Sequence, residues 1–321
     1  FVAPAFNWNA LSWSSNGDGL LVGIEWVYGE HLHWIPSDEG SPQLLLTSPL
    51  GEVRWTPHDV RPGGTPTMVF VDYSTPAPTL HFLHEDGSES TVMAKSAEHY
   101  TPFHIGGGRV YYNKNYADPN GSSNLFVSDI LAGCRSPLAS PDGTQLAWLC
   151  DDGSPDWGAI ISGTEVINFR LVLSNWDGRN PREVWTYQET GPEYRGFDLM
   201  SWRADGRALY LSRPKYGVAW AYFDYNPDAV MLDLQTGEMT PLGDGEGIHD
   251  AEVSPDGRWL VQSRVTEWPE KGVIVMLKSL SDGTVQTVAC TEGALVAGDF
   301  SFSPNNNWLA WREWAQPADG S

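Results

Sequence analysis

The sequence predicts an all-β fold built from repeated antiparallel units. Its 33 glycines, 23 prolines and 16 tryptophans in 321 residues indicate many short strands, tight turns and large rings packed between sheets. A short strand, a turn rich in Pro, Asp, Asn and Gly, and an apolar strand follow one another repeatedly along the chain. Helix signals are poor, because Gly or Pro interrupts every long run of apolar residues at helical spacing. We therefore expect almost no helix.

Each repeated unit begins with a β-hairpin. The clearest copies are LASPDGTQLAWL, EVSPDGRWLVQS and FSFSPNNNWLAWRE, with turns at Asp142, Asp256 and Asn305, and LMSWRADGRALYLS around Asp205 is a fourth. Weaker copies lie near Asn16, Asp59 and Gly107. Seven hairpins result, which fixes the number of units that the sequence predicts.

Further strands follow each hairpin. The third strands are read in LHFLHEDGSESTVM, NLFVSD, FRLVLSNWDGRNPREVW, AVMLDLQTGEMTPL and VIVMLKSLSDGTVQTVA, and in four of these segments a tight turn leads to a fourth strand. Four antiparallel strands every ~40 to 50 residues are typical of β-propeller blades. We predict a single β-propeller domain over residues 1–321 with seven blades. Six blades are the alternative, because the third unit is short and could merge with a neighbour.

Prolines and tryptophans fit this assignment. Pro57, Pro102 and Pro137 fall in the first strand of their units, and proline needs a strand edge because it donates no hydrogen bond. The first strand of a propeller blade is such an edge, next to the central channel. Five tryptophans of the hairpins are expected in the core between blades. They are Trp148, Trp202, Trp259, Trp308 and Trp311.

Two of the three cysteines are predicted to form a disulfide within one hairpin. If Ser140-Pro141-Asp142-Gly143 forms a type I turn with a glycine bulge, Ser140 faces Thr144 and paired positions sum to about 284. Cys134 then lies opposite Cys150, with Leu138 opposite Leu146 between them. A bridge would imply an oxidising compartment, and two buried thiols are the alternative.

The SPDG hairpins, each followed by an apolar strand rich in aromatic residues, resemble the WD40-like repeats of TolB-type propellers. These repeats occur in periplasmic TolB and in the propeller domains of prolyl oligopeptidase-like enzymes. The resemblance spans nearly the whole chain and implies the fold. The GxSxG motif of the hydrolase domain in such enzymes is absent from the sequence.

The last unit is predicted to need a strand from elsewhere. Only residues 312–321 follow Trp311, which is too few for two further strands. A segment at the N-terminus is expected to complete the blade, or else a strand from another molecule does so and links copies into an assembly. The residues assigned to this closure or strand exchange are Phe1, Val2, Phe6 and Trp8.

Charge and hydropathy exclude several classes of function. A net charge of −22 would repel nucleic acid and anionic lipid, and no apolar run approaches the ~20 residues of a membrane-spanning helix. The sequence starts at Phe1, which is expected where a signal peptide or another preceding segment has been removed. We therefore expect a secreted protein, extracellular or periplasmic.

Long aromatic and acidic connections are the expected binding surface, because loops on a rigid scaffold usually recognise partners. The residues assigned to it are Trp157, Tyr194, Tyr216, Trp220, Tyr222 and Tyr225. No catalytic residue is assigned. The sequence predicts neither metal nor cofactor, although calcium could bind the acidic stretches 151–156 and 244–246. The two rings of His31-x-His33 share one face of a strand but lack the ligand spacing of a known metal site.

The sequence therefore favours a non-enzymatic, acidic propeller that binds a protein partner or assembles with copies of itself as a structural scaffold. A carbohydrate-active enzyme or lectin is the alternative, with a glycan bound by loop aromatics and carboxylates at the channel mouth. Fold alone does not choose between them.

Overall fold

The structure is a computed structural model. It describes residues 7–13, 17–26, 29–38, 40–48, 53–56, 68–72, 79–83, 89–93, 102–106, 109–112, 115–117, 125–126, 134–151, 166–190, 197–214, 227–243, 248–265, 272–292 and 294–315. Every regular element in these ranges is a β-strand. The described residues contain no helix of the length and hydropathy needed to cross a membrane.

The strands form antiparallel sheets in chain order. The first sheet contains β1 (Asn7–Trp13), β2 (Gly19–Trp26), β3 (Gly29–Pro36) and β4 (Gln43–Ser48). The second contains β5 (Val53–Thr56), β6 (Met68–Asp72), β7 (Thr79–Leu83) and β8 (Glu89–Met93). The third contains β9 (Pro102–Gly106), β10 (Arg109–Tyr112), β11 (Asn115–Ala117) and β12 (Leu125–Phe126). The fourth contains β13 (Cys134–Ala139), β14 (Gln145–Asp151), β15 (Val166–Asn175) and β16 (Arg182–Thr190).

The remaining sheets follow the same order. The fifth contains β17 (Asp198–Trp202), β18 (Ala208–Pro214), β19 (Pro227–Asp233) and β20 (Met239–Pro241). The sixth contains β21 (Ile248–Val253), β22 (Trp259–Val265), β23 (Gly272–Ser279) and β24 (Val285–Glu292). The last contains β25 (Ala294–Phe302) and β26 (Leu309–Ala315) among the described residues. Successive four-stranded antiparallel sheets confirm the predicted all-β architecture of propeller blades.

The position of the first strand in each sheet agrees with the proline argument. Strand β9 begins at Pro102 and β13 contains Pro137, and both strands are edges of their sheets. Pro57 lies outside the described residues. One strand assignment was wrong: NLFVSD supplies the fourth strand of its sheet, β12, because the short β11 at Asn115–Ala117 takes the third position.

The SPDG turns share one hydrogen-bond network. In the sixth sheet the Ser254 hydroxyl donates to Asp256 (2.7 Å) and accepts the N–H of Trp259 (2.9 Å), while Asp256 accepts the N–H of Arg258 (3.0 Å). The same contacts recur around Ser140 in the fourth sheet and around Ser303 in the last. The repeat is therefore a conserved arrangement of atoms within one chain, which explains why Ser, Asp or Asn recurs at these positions.

The register of the fourth sheet differs from the prediction near its turn. The N–H of Ser140 donates to the carbonyl of Gln145 (2.9 Å), so the turn is one residue longer than expected. Leu138 therefore lies opposite Ala147 and not opposite Leu146. A bulge between Arg135 and Leu138, where Pro137 has no N–H to offer, restores the predicted register further along.

Cys134 and Cys150 are direct partners in this register and form a disulfide between β13 and β14. Both residues are buried, in a cluster with Leu146 and Trp148. Cys290, the third cysteine of the sequence, is exposed on β24 as a free thiol.

The core lies between neighbouring sheets. Trp148 is 1% exposed and Trp202 is 7% exposed, and the indole N–H of Trp202 donates to the carbonyl of Leu138 (3.0 Å), joining the fifth sheet to the fourth. Trp259 and Trp311 are partly buried. Trp308 was predicted in the core and is 46% exposed, because it directly follows the last turn, where one side of the chain faces solvent.

The last sheet also contacts the first. The indole N–H of Trp13 on β1 donates to the carbonyl of Ser301 on β25 (2.9 Å), and Ala310 packs against Leu20 and Val22. The first and last of the described sheets are therefore in direct contact. Trp8 lies in β1 opposite Ile24, in the first sheet, so a closing strand for the last sheet would have to come from other residues.

Candidate functional site

Two carboxylates of the sixth sheet face the last sheet. Asp250 and Glu252 stand two residues apart on β21, so their side chains emerge on the same face of the strand. That face also carries Val261, which packs with Phe300 and Ala297 of β25. The surface between these two sheets is called the acidic seam below, after Asp250 and Glu252.

Asp250 bridges the acidic seam through backbone hydrogen bonds. One carboxylate oxygen accepts the N–H of Ala251 (2.8 Å), and the other accepts the N–H of Asp299 on β25 (2.7 Å). A Cβ atom at Gly298 would lie 2.9 Å from the second oxygen, so the close approach depends on glycine. Ser263 adds a buried contact, donating to the carbonyl of Ala297 (2.6 Å).

Asp299 lies in an unusual backbone conformation. Its φ is +52°, in the left-handed region that a residue with a Cβ rarely adopts, and it sits in the bulge of β25 between Gly298 and Ser301. Its carboxylate forms an ion pair with Arg312 of β26, whose side chain is partly buried. Burial lowers the pKa of Arg312. Hydrogen bonding and charge pairing therefore hold this bulge.

The acidic seam also shifts the protonation of its carboxyls. Burial raises the pKa of Asp250 from 3.8 to about 6, although nearby backbone N–H groups oppose the shift. Burial, and then the charge of Asp250, raise the pKa of Glu252 from 4.5 to about 8. Carboxyls with raised pKa values can serve as general acids, but Asp250 accepts two backbone N–H groups here, a contact that organises the fold.

Polar contacts also join the outer parts of the two sheets. Thr291 of β24 donates to Glu313 of β26 (3.0 Å), which also accepts the indole N–H of Trp311 (2.9 Å). Beyond them β24 forms the edge of the sixth sheet. Val285 is 58% exposed and Val288 is 41% exposed, and the whole strand is exposed or only partly buried.

The outer strands of the other four-stranded sheets carry features that discourage pairing with foreign strands. Strand β20 is three residues long and ends in proline, β16 contains three charged residues, and β4 is bracketed by prolines. Strand β12 has two residues and β8 has five, one of them charged. Strand β24 has eight residues and no charge or proline before Glu292. Strand β24 contains a bulge between Thr287 and Ala289. Strands β4 and β16 contain bulges as well, so this feature does not distinguish β24 from them.

The residues predicted for ligand binding lie outside the described part of the chain. This holds for the aromatic set Trp157, Tyr194, Tyr216, Trp220, Tyr222 and Tyr225, for Phe1, Val2 and Phe6 of the closing segment, and for residues 152–156 and 244–246 of the acidic stretches. The binding surface, the calcium site and the glycan alternative therefore stay predictions.

A partly buried cluster lies at the strand ends next to two of these aromatic segments. The guanidinium of Arg213 on β18 contacts the carboxylate of Glu189 (2.6 Å) and the hydroxyl of Tyr187 (2.9 Å) on β16. It also lies 5.5 Å from the ring centres of Tyr187 and Phe197. This packing fixes where the chain leaves β16 and β18.

The histidine pair occupies the third strand of the first sheet and not its first strand. The ring centres of His31 and His33 on β3 are 6.3 Å apart. Burial and the nearby His31 lower the pKa of His33. Among the described residues, no three His, Cys, Asp or Glu side chains come together as a metal site.

Sequence reasoning missed both the acidic seam and the exposed edge. The signal for the seam is the D-x-E pattern of HDAEV, which places two acids on one face of a predicted inner strand. The signal for the edge is the uncharged run VQTVACT at the end of a blade unit. Neither pattern can be interpreted until the order of the strands within the sheet is known.

Known structures resemble the chain in fold. Hydrazine synthase from Kuenenia stuttgartiensis aligns with a TM-score of 0.55 and 12% identity, over 98% of this chain and 97% of that chain. An oligogalacturonate lyase solved in complex with manganese aligns with a TM-score of 0.52 and 14% identity, over 98% and 90%. The chain has a TolB-like β-propeller fold. Identities this low show the fold alone.

TolB from Acinetobacter baumannii is also among the matches, with a TM-score of 0.47 and 16% identity. The alignment covers 92% of this chain but spans only 58% of that TolB chain. No family model matches the chain, and no curated protein matches it by sequence.

Proposed function

We propose that this chain is a seven-bladed propeller that acts as a protein-binding scaffold in an extracytoplasmic compartment. In this proposal, a partner binds at the outer edge of the sixth blade. The observation that carries the proposal is β24, an eight-residue edge strand without proline and without charge before Glu292. Strand edges of this kind are templates for an additional strand, and natural sheets normally block them.

Strand addition is a common mode of peptide recognition. The backbone groups of an edge strand supply affinity, each hydrogen bond contributing about 0.5 to 1.5 kcal/mol net, and exposed side chains supply selectivity. Val285 and Val288 offer apolar contacts for a partner strand. The free edge would then serve binding and not aggregation, because the net charge of −22 keeps copies of the chain apart.

The disulfide supports the proposed extracytoplasmic location of the protein. Disulfides persist in the periplasm and outside the cell and are rare in the reducing cytosol. The bridge between Cys134 and Cys150 is buried and joins two strands that are already paired, as expected of a structural disulfide. The proposal therefore places the partner in the same oxidising compartment.

A photo-crosslinking experiment tests the proposal. A crosslinking amino acid is placed at position 288 on β24, and at position 166 as the matched control, because Val166 is 45% exposed on β15, an inner strand of its sheet. Any protein captured only at position 288 is then purified and its affinity measured by calorimetry. We expect binding to the unmodified chain that Val288→Lys weakens and Val166→Lys leaves unchanged.

Equal capture at both positions, or binding that Val288→Lys does not affect, would overturn the proposal. Sedimentation velocity on the purified chain tests whether the chain assembles with copies of itself. A dimer that Val288→Lys dissociates would identify a second copy as the partner at this edge.

A further inference from the structure

The charges around β24 constrain the partner, given the proposed function. Asp282 stands exposed in the turn before the strand, and Glu292 stands exposed at its end. Glu313 of the last sheet contacts Thr291 near the same end (3.0 Å). Lys278, a partly buried residue that pairs with Val285, is the cation of the neighbouring strand on this side.

The strand therefore has no charged side chain in its middle and an acidic side chain beside each end, with Lys278 of the neighbouring strand near the Asp282 end. Eight residues of strand span roughly 23 Å at about 3.3 Å per residue, which separates the two acidic ends by more than the ~8 Å screening length at physiological salt. Each end must therefore be neutralised by its own charge on the partner.

We infer that the edge of β24 binds an extended segment of a different protein, with about six β-branched or small polar residues between basic residues at both ends. The middle of such a segment pairs with the backbone of Gln286 to Cys290 and contacts Val285 and Val288. Its basic ends lie beside Asp282 and Glu292, where cross-strand opposite charges stabilise pairing.

A second copy of the chain is a poorer occupant in either orientation. Antiparallel pairing of β24 with itself brings Glu292 of one copy close to Asp282 of the other at both ends of the strand pair. Parallel pairing places Asp282 near Asp282 and Glu292 near Glu292. Like charges opposite one another oppose pairing, and each chain adds a net charge of −22.

Fluorescence anisotropy with designed peptides tests the inference on the full chain. The probe is the fluorescein-labelled peptide Lys-Thr-Val-Thr-Val-Thr-Val-Lys, and the control peptide has glutamate at both ends. We expect the glutamate-ended peptide to bind at least about tenfold more weakly, with the difference shrinking as salt is raised. Val288→Lys should weaken binding of the lysine-ended peptide by about tenfold or more, and Val166→Lys should not.

Each other outcome overturns a defined part of the inference. If both peptides bind with equal affinity and Val288→Lys still weakens both, the requirement for basic ends on the partner is wrong. Strand binding at β24 would still be supported. Absence of binding, or equal loss with Val166→Lys, would remove the edge site and with it the support for the proposed function. A Val288→Lys-sensitive dimer in sedimentation would replace the foreign partner by a second copy.

Discussion

Ser254 shows how single residues define the repeat. It is 1% exposed, donates to Asp256 and accepts the N–H of Trp259, so its hydroxyl closes the turn from inside. In the fifth sheet Arg203 takes the place of this serine and donates to Asp205 (2.8 Å), but a guanidinium has no acceptor for a backbone N–H. Among the described turns, a hydroxyl at this position is therefore common but not required.

Ser254→Ala should lower the free energy of unfolding by about 1 to 2 kcal/mol, because it leaves the N–H of Trp259 without its acceptor. Urea unfolding followed by tryptophan fluorescence measures the loss. Ser41→Ala, at an exposed position, is the control and should change stability by less than about 0.5 kcal/mol. Equal effects of the two substitutions would contradict the account of the turn.

The acidic seam predicts a pH dependence at the same scale. The folded pKa values of Asp250 and Glu252 lie above their ordinary values of 3.8 and 4.5, at about 6 and about 8. Between these limits the folded chain holds protons that the unfolded chain has released, so stability falls as pH rises. The turn aspartates with lowered pKa values, such as Asp142 and Asp256, act in the opposite direction but only near and below pH 4.

Glu252→Gln should therefore flatten the decline in unfolding free energy between pH 5 and pH 8. Each such group contributes a slope of at most about 1.4 kcal/mol per pH unit. Urea unfolding at pH 5, 6.5 and 8 measures it, with the exposed Glu238→Gln as the control. An identical slope in wild type and Glu252→Gln would show that the seam does not titrate in this range.

At the scale of elements, the disulfide covalently links the first two strands of the fourth sheet. Replacing both Cys134 and Cys150 by serine should destabilise the chain by about 2 to 4 kcal/mol, since the bridge restricts the unfolded chain over a separation of 16 residues. Thermal unfolding compares this variant with Cys290→Ser, which changes an exposed thiol. A double variant as stable as Cys290→Ser would contradict a stabilising role.

How far the sequence predicts each element depends on where its information lies. The hairpins follow from local turn chemistry, so they are predictable. The turn after Ala139 is one residue longer than predicted and places Leu138 opposite Ala147, and Cys134 meets Cys150 as predicted only because a bulge at Pro137 compensates for the longer turn. The raised pKa values of the seam and the exposure of β24 come from contacts between sheets, which alternation along one strand does not encode.

At the scale of the whole molecule, the first and last sheets meet through Trp13. Trp13→Phe keeps a ring against Leu20 but removes the hydrogen bond to the carbonyl of Ser301. We expect a loss of about 1 kcal/mol in unfolding free energy. Trp308→Phe is the control, at a tryptophan that is 46% exposed. Equal stability of Trp13→Phe and wild type would argue against this contact between the two sheets.

Three features of the edge of β24 together specify one kind of partner: its uncharged residues, its outer position in the sheet and the acidic charge of the molecule. The most direct test is amide hydrogen exchange of the full chain with and without a saturating lysine-ended peptide. Backbone N–H groups of β24 that point away from β23 should exchange at least about tenfold more slowly with peptide, while those of β16 should not change. Unchanged exchange in β24, or equal slowing in β16, would contradict strand binding at this edge.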